Sequence, residues 1–187
     1  MKHLACLMIL ISTSIVLQTP FANADENAGV AVPVTEIEMA GIDNYSETLD
    51  GFGLGGATEP SAMGVLADRG YAAVVNLRLD SEEGARVEEN RAAAEQAGLD
   101  YIHLPFDSAN PPPDYFEDFL AVVRDGSNHP LYIHCGSATR AAALWMTKRV
   151  LIDGWTMDLA AEEARAIAGK PDVAVAFATG YIESQQQ

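Results

Sequence analysis

A seven-residue segment in the second half of the chain combines a nucleophile with groups that bind anions. It reads His134-Cys135-Gly136-Ser137-Ala138-Thr139-Arg140 and separates an apolar run at 131–134 from a helical pattern that follows. Small residues let successive backbone N–H groups point into the loop, and the helix adds its own unpaired N–H groups and positive dipole end. The planar guanidinium of Arg140 can bind two oxygens of a tetrahedral oxyanion. This combination predicts attack of the Cys135 sulfur on phosphorus, through a phosphocysteine intermediate.

A free cysteine can also be a small buried apolar residue with no chemical role. Cys135 is the only cysteine outside the N-terminal segment, which contains Cys6, so no internal disulfide is expected. The arginine that follows after four intervening residues, and the change from strand to helix between the two, favour the nucleophile.

The elements around this segment alternate between strands and helices, which is typical of βαβ units. We expect an α/β fold: a three-layer sandwich with a mostly parallel central sheet flanked by helices. The predicted strands lie at 72–77, 101–104 and 131–134. The predicted helices run from Pro60 to Gly70 and over about 81–96, 115–124, 140–153, 158–168 and 172–182. In such a sheet, ligands bind beyond the carboxyl ends of the strands, where Cys135 is expected.

His134-Cys135 with Arg140 resembles the signature of the Cys-dependent protein tyrosine and dual-specificity phosphatases. The wider pattern is similar to small bacterial dual-specificity-phosphatase-like proteins and covers most of residues 50–170 in order. It includes the segments 55–61, 75–78, 101–105, 134–145 and 154–164. The resemblance implies a Cys-phosphatase-like fold and hydrolysis of phosphate monoesters, on a phosphorylated protein or a small phosphate ester, with neither metal nor cofactor.

The chain departs from the usual phosphatase loop in three ways. Four residues instead of five separate Cys135 from Arg140, Ala138 stands where short-loop relatives typically have Gly, and Ala141 replaces the usual Ser or Thr. Ala resists the left-handed backbone that Gly adopts freely. A six-residue Cys-to-Arg loop is also similar to that of rhodanese-like sulfurtransferases, which carry persulfide on Cys. A sulfurtransferase and a non-catalytic, anion-binding pseudophosphatase therefore stay open beside the phosphatase.

The resemblance implies roles for individual residues. Cys135 is the expected nucleophile, Arg140 the phosphate ligand, and Asp107 the general acid on the loop after the preceding strand, with Asp114 as the second candidate. Arg78, at the end of its strand, either adds a second positive charge or forms a surface ion pair with Asp80 or Glu82. The predicted substrate-binding residues are His134, Gly136, Ser137, Ala138, Thr139 and Arg78.

Three other patterns have simpler interpretations. Gly51-x-Gly53-x-x-Gly56 fits the dinucleotide fingerprint by spacing but lacks a preceding apolar strand, so a tight turn is expected. His103 could share a metal with His134, but no third His or Cys has suitable spacing, so a histidine of the core or rim is expected. The acidic face of the second predicted helix is expected to be a solvated surface; its residues are Glu82, Glu83, Glu88, Glu89 and Glu95.

The N-terminus has the layout of a secretory signal. A basic start at Lys2 and an apolar run too short for a membrane span lead to Ala22-Asn23-Ala24, which predicts cleavage after Ala24. We therefore expect a periplasmic or secreted protein with no membrane association after cleavage. The expected organisation is a signal peptide at 1–24, an arm or linker at 25–44, a phosphatase-like α/β domain at 45–183 and a polar tail at 184–187.

The charge of the predicted mature chain limits its partners. Residues 25–187 carry all 27 acidic and 10 of the 11 basic side chains, a formal charge of −17. Nucleic-acid binders and proteins that attach to anionic lipid need basic patches, so neither class is expected. A phosphate ester must be bound by short-range groups within the loop, against the repulsive field of the whole molecule.

Overall fold

Residues 34–185 are described by the structure, a computed structural model, and form a six-stranded sheet with helices on both faces. The predicted signal at 1–24 and its cleavage site lie outside the described residues. The strands are β1 (Val34–Glu36), β2 (Ser46–Thr48), β3 (Gly53–Gly55), β4 (Ala73–Asn76), β5 (Asp100–His103) and β6 (Leu131–His134). The helices are α1 (Ala62–Asp68), α2 (Val87–Ala97), α3 (Tyr115–Arg124), α4 (Thr139–Leu151), α5 (Met157–Ile167) and α6 (Pro171–Ser184).

The strands are arranged in the order β1-β2-β3-β6-β4-β5. β1, β2 and β3 pair antiparallel, whereas β3, β6, β4 and β5 form a parallel block. β6 is central in this block, with β3 on one side and β4 on the other. The carboxyl end of β6 therefore opens beside the ends of two neighbouring strands, which is where α/β sheets bind ligands.

The two faces of the sheet pack against different helices, as the alternation of side chains along a strand requires. In β6, Leu131 and Ile133 pack into a large apolar cluster that includes residues of α3, α4, α5 and α6, whereas Tyr132 packs with α1 and α2 on the opposite face. The neighbouring β4 divides in the same way, with Val75 in the first cluster and Val74 in the second. The predicted three-layer sandwich with a mostly parallel sheet is confirmed.

Helix α4, which follows the cysteine segment, is enclosed on nearly every side. All residues from Ala141 to Thr147 are buried, because α4 lies between the sheet and the helices α5 and α6. A helix that is buried all round is fixed by packing rather than by a single apolar stripe. The N-terminal end of α4, with Arg140 in its first turn, is thereby held rigidly at the end of β6.

The first three strands differ from the sequence expectation. An arm or linker was expected over 25–44, but residues 34–36 form β1, paired with β2, and Ile42 makes β-bridges with Met39 and Thr58. The strands β2 and β3 occupy a polar stretch and a Gly-rich stretch whose composition gives no strand signal. The second predicted helix starts later than expected, at Val87 rather than near Ser81.

The glycines of the apparent dinucleotide fingerprint have a packing role in β3. A Cβ atom on Gly53 would collide with the Tyr71 hydroxyl, and one on Gly55 with the Tyr132 hydroxyl. The spacing of these glycines therefore makes room for two buried tyrosines. The expected tight turn is present only at Gly51, which has φ 83° and donates its N–H to the carbonyl of Thr48 at 3.0 Å, whereas Gly53 and Gly55 lie in a strand.

In the part of the chain that the structure describes, no helix has the length and apolar character needed to cross a membrane.

Candidate active site

Cys135 lies directly after β6, where the chain curves into α4. Its backbone N–H donates to the carbonyl of Gly55 at 3.2 Å, and its side chain is buried. Ala138, the N-cap of α4, has φ 58° and ψ −5°, which is the left-handed conformation that an alanine rarely adopts. The shortened loop therefore forms, and Ala138 takes a left-handed conformation that glycine adopts freely.

Arg140 reaches back from the first turn of α4 to three separate segments. Its NH1 group donates to the carbonyls of Leu77 at 3.2 Å and Phe106 at 2.9 Å. Its NH1 and NH2 groups also form a two-point ion pair with the carboxylate of Glu82, at 2.6 and 2.8 Å. Burial alone would lower the pKa of Arg140, but the hydrogen bonds that Arg140 donates to Glu82, together with the nearby Cys135 sulfur, raise this pKa above its ordinary value. Of the five N–H donors, Nε–H and the second NH2 hydrogen make no hydrogen bond to an oxygen atom among the described residues, and the guanidinium lies near the Cys135 sulfur.

Glu82 is the residue that orients Arg140, and its position was not predicted. Its carboxylate also accepts from the Leu79 backbone N–H at 2.8 Å and from Nε of Arg78 at 3.2 Å. Burial would raise the pKa of Glu82, but the hydrogen bonds from Arg140 and Leu79, with the one from Arg78, hold it below its usual range. The expectation that Glu82 belongs to a solvated helical face is wrong, because it lies in the loop before α2 and its side chain is only 25% exposed.

Arg78 is buried at the end of β4 and its donors are occupied by its own loop. NH1 donates to the carbonyl of Gly84 at 2.8 Å, NH2 to that of Glu83 at 2.6 Å, and Nε to Glu82. These contacts fix the loop that carries Glu82. Direct substrate binding by Arg78 stays a prediction. In the structure, Arg78 is connected to Arg140 through Glu82, which accepts hydrogen bonds from both.

The segment with the proposed general acid starts from a firmly held phenylalanine. Phe106 is buried, stacks on Tyr115 with ring centroids 4.2 Å apart, and accepts a hydrogen bond from Arg140 through its carbonyl. The next residue, Asp107, is exposed and accepts from the N–H of Ala109 at 2.9 Å. Asp114, at the N-cap of α3, makes no capping hydrogen bond with its side chain. Asp107 is therefore the residue directly after Phe106, whose carbonyl accepts a hydrogen bond from Arg140.

His134 is fully buried beneath the loop and stacks on Tyr132, with ring centroids 5.6 Å apart. Neither ring nitrogen has a hydrogen-bonding partner among the described residues. Burial lowers the pKa of His134 to about 4, against the opposing effect of the backbone of Cys135 and Gly56. The ring is therefore neutral at pH 7 and does not act as a cationic ligand for phosphate.

The remaining loop residues are held from outside the loop. Ser137 and Thr139 place their hydroxyl oxygens 3.0 Å apart, and the Thr139 oxygen accepts from the N–H of Lys170 at 3.1 Å. The carbonyl of Ser137 accepts from the N–H of Gly169 at 2.8 Å. The segment between α5 and α6 is thus bonded to the outer side of the loop.

An apolar cavity of about 140 Å³ adjoins Arg140. It lies between the Asp107 segment and α6, and its lining comprises Phe106, Ser108, Thr139, Arg140, Ala143, Val173, Ala174 and Phe177. No group of three or more His, Cys, Asp or Glu residues able to hold a metal occurs within residues 34–185. His103 instead places its Nε2 atom 2.8 Å from the carbonyl of Arg78.

Residues 48–151 match the sequence family described as beta-lactamase hydrolase-like protein, phosphatase-like domain. The chain belongs to this family. The matched residues contain the complete cysteine loop, Glu82 and Asp107. Membership favours the phosphatase interpretation over the sulfurtransferase that the loop length left open. No curated protein matches the chain.

Two solved structures illustrate the fold that this chain shares. TpbA from P. aeruginosa is 15% identical with a TM-score of 0.65, covering 83% of this chain and 91% of its own. The core catalytic domain of the PP-IP phosphatase Siw14 from S. cerevisiae is 18% identical with a TM-score of 0.64, covering 80% and 91%. A TpbA variant has been solved in complex with phosphotyrosine. These likenesses show the fold, and the family match gives the phosphatase-like class.

Sequence reasoning missed Glu82 and Gly169. Gly84, with φ 71°, lies two residues after Glu82 and marks a loop rather than the first turn of a helix, so it was the available signal. Gly169 lies two residues after the end of α5, where a glycine is common because it ends a helix. The sequence therefore gives no indication of its contact with Ser137.

Proposed function

We propose that the protein hydrolyses phosphate monoesters through a phosphocysteine intermediate on Cys135, as a member of the dual-specificity or tyrosine phosphatase subtype. The observation that carries this proposal is the position of Cys135 in a loop whose Arg140 is held by Glu82 at two points. A fixed guanidinium beside the nucleophile is what a phosphoryl group, with charge spread over three oxygens, requires.

The electrostatics of the loop favour bound phosphate. The Nε–H and NH2 edge of Arg140 is not used by Glu82, so it supplies two parallel donors for two phosphoryl oxygens. Backbone N–H groups of Gly136–Arg140 and the N-terminal end of α4 supply the rest of the cradle. Most of the −17 charge of the predicted mature chain is spread over the surface. Salt largely screens those charges that lie more than about 10 Å from the loop.

Asp107 is the proposed general acid. It protonates the leaving oxygen as the S–P bond forms, and as a carboxylate it then removes a proton from the water that hydrolyses phosphocysteine. Exposure of Asp107, one residue after the anchored Phe106, supports this role because the carboxyl group can approach the ester from solvent. Asp114 is the second candidate.

A phosphorylated protein, with phosphotyrosine as the preferred ester, is the proposed substrate. Support comes from the apolar cavity of about 140 Å³ beside Arg140, whose walls Phe106 and Phe177 can contact an aromatic leaving group. The complex of TpbA with phosphotyrosine points the same way for a protein of this fold. Small phosphate esters are the alternative substrates within the same mechanism.

The experiment that tests this function is a substrate panel on the wild type and Cys135→Ser. We expect p-nitrophenyl phosphate and phosphotyrosine peptides to be hydrolysed by the wild type and not by the variant, which should keep its thermal midpoint. A parallel assay with thiosulfate tests sulfur transfer to Cys135. Phosphate binding without turnover of any ester would instead indicate a pseudophosphatase.

We also propose that the protein is exported and cleaved after Ala24, giving a periplasmic or secreted enzyme. The support is the sequence of residues 1–24, with a basic start, a short apolar run and small residues before position 25. N-terminal sequencing of the protein from cell fractions should find Asp25 as the first residue. Protein in the cytoplasmic fraction with an intact N-terminus would contradict this.

A further inference from the structure

The geometry points to Gly169 as a positioning residue that aims one backbone N–H of the cysteine loop at the phosphoryl group. This inference rests on the proposed phosphatase function and adds a requirement from a segment outside the loop. Gly169 lies between α5 and α6, more than thirty residues from Cys135 in sequence, and its backbone N–H donates to Ser137 of the loop.

The contact is between backbone atoms. The N–H of Gly169 donates to the carbonyl oxygen of Ser137 at 2.8 Å. The C=O and N–H of one trans peptide point in opposite directions. Because the carbonyl of Ser137 points at Gly169, the N–H of Ala138 in the same peptide plane points away from Gly169, which is the side on which the phosphoryl group is proposed to lie. There it is one of the donors available to a phosphoryl oxygen.

The absence of a side chain at position 169 is required by this contact. A Cβ atom there would lie 2.6 Å from the Ser137 carbonyl oxygen, which is closer than real Cβ atoms approach, and 3.3 Å from the Ser137 Cβ, which is a tight contact. Gly169 is not among the glycines with positive φ, so its backbone conformation would accept other residues. The close approach to Ser137 is the reason that glycine occupies this position.

A second glycine, Gly56, follows β3 directly and contacts Ser137. Gly56 forms an isolated β-bridge with Ser137, and a Cβ on Gly56 would lie 2.8 Å from the carbonyl oxygen of Asp43 and 3.3 Å from the Cα of Ser137. Gly56 and Gly169 together fix the residue that precedes Ala138. This explains how an alanine is kept at φ 58°, a conformation that persists only where the surroundings determine it.

The test compares Gly169→Ala with Gly180→Ala, a control on α6 whose added Cβ meets no atom within 4 Å. The substrate is p-nitrophenyl phosphate, and orthovanadate is the probe of oxyanion binding. We expect Gly169→Ala to lower kcat/KM at least tenfold and to raise the vanadate inhibition constant at least tenfold at a temperature where circular dichroism shows a folded protein. Gly180→Ala should leave both values within twofold.

The double variant Gly169→Ala with Ala138→Gly separates positioning from folding. Glycine at position 138 lets the peptide rotate, so the double variant should recover at least fivefold in kcat/KM relative to Gly169→Ala, and Ala138→Gly alone is measured as the reference for the double variant.

Three outcomes would overturn the inference: a Gly169→Ala protein that loses thermal stability but keeps its kinetic constants, one that does not fold, or a double variant without recovery. Turnover by the wild type and its loss in Cys135→Ser establish the phosphatase function independently, so failure of this inference leaves that function standing.

Discussion

The carboxylate of Glu82 binds the guanidinium of Arg140 at two points, 2.6 and 2.8 Å, across 58 positions of the sequence. The pair uses one edge of the guanidinium and leaves the Nε–NH2 edge for substrate. The carboxylate of Glu82 therefore orients the guanidinium that is proposed to bind phosphate.

Glu82→Gln is expected to lower kcat/KM for p-nitrophenyl phosphate by about tenfold to a hundredfold. Gln keeps the shape but removes the charge, and a hydrogen bond between charged groups contributes roughly 1.5–3 kcal/mol. Steady-state kinetics at pH 7 measure the effect. The matched control is Glu83→Gln, whose side chain makes no hydrogen bond in the structure. Equal activities of the two variants would contradict a role for Glu82 in orienting Arg140.

Asp107→Asn is expected to reduce kcat more for phenyl phosphate than for p-nitrophenyl phosphate. Phenolate is the poorer leaving group and depends more on proton donation, for which a general acid contributes about 100-fold or more. The measurement is kcat of Asp107→Asn, and of Asp114→Asn for comparison, with each of the two esters. A larger and leaving-group-dependent loss in Asp114→Asn would transfer the acid role to Asp114.

The buried His134 should make the protein less stable in acid. Its pKa is lowered from 6.5 to about 4, so below pH 6.5 the unfolded chain binds a proton on this histidine that the native state does not bind. The free energy of unfolding is therefore unaffected by this histidine above about pH 6.5, and it falls by roughly 3 kcal/mol as the pH decreases to 4, at 1.36 kcal/mol per pKa unit.

Urea unfolding of the wild type and His134→Asn between pH 7 and 4.5 measures this contribution. The free energy of unfolding of the wild type should fall more steeply with decreasing pH, since carboxylates such as Glu82 and Asp50 act equally in both proteins. Parallel curves would show that His134 gives no such pH dependence.

A second buried ion pair should affect stability without affecting catalysis. Arg149 bonds Glu163 at 2.8 and 2.9 Å, with side chains 6% and 1% exposed, and stacks between Trp145 and Trp155. Glu163→Gln leaves this charge partly unpaired, and loss of a buried partner costs about 3 kcal/mol. Thermal unfolding of Glu163→Gln and the exposed control Glu162→Gln measures the loss.

The kinetic constants of folded Glu163→Gln should equal those of the wild type. Arg149 lies nine residues after Arg140 on α4, about 14 Å along the helix axis. A tenfold fall in kcat/KM would mean that Arg149 affects the position of Arg140, although Glu82 and the carbonyls of Leu77 and Phe106 hold Arg140 separately.

The sequence predicted the elements whose patterns are local. The apolar run of β6, the stripe of α3 and the Cys-to-Arg spacing each depend on neighbouring residues, so the strand, the helix and the loop were located correctly. The strands β1 to β3 were missed because each has only three residues, which is too short for a pattern of alternation. Their place in the sheet depends on pairing with distant residues.

The parts of the site that could not be predicted are contacts between distant segments. Glu82 is one of many acidic residues in its region, and only the tertiary fold brings it to Arg140. The approach of Gly169 to Ser137 is likewise a property of packed backbone. Residue type indicates which groups can act, whereas the fold determines which of them meet.

Trapping of the phosphoenzyme tests the central claim most directly. The wild type, mixed rapidly with ³²P-labelled substrate and quenched, should retain label on a peptide that contains Cys135. The variant Cys135→Ser should release no phosphate in a time during which the wild type completes many turnovers. Normal turnover by folded Cys135→Ser, or label found only on another residue, would contradict the account.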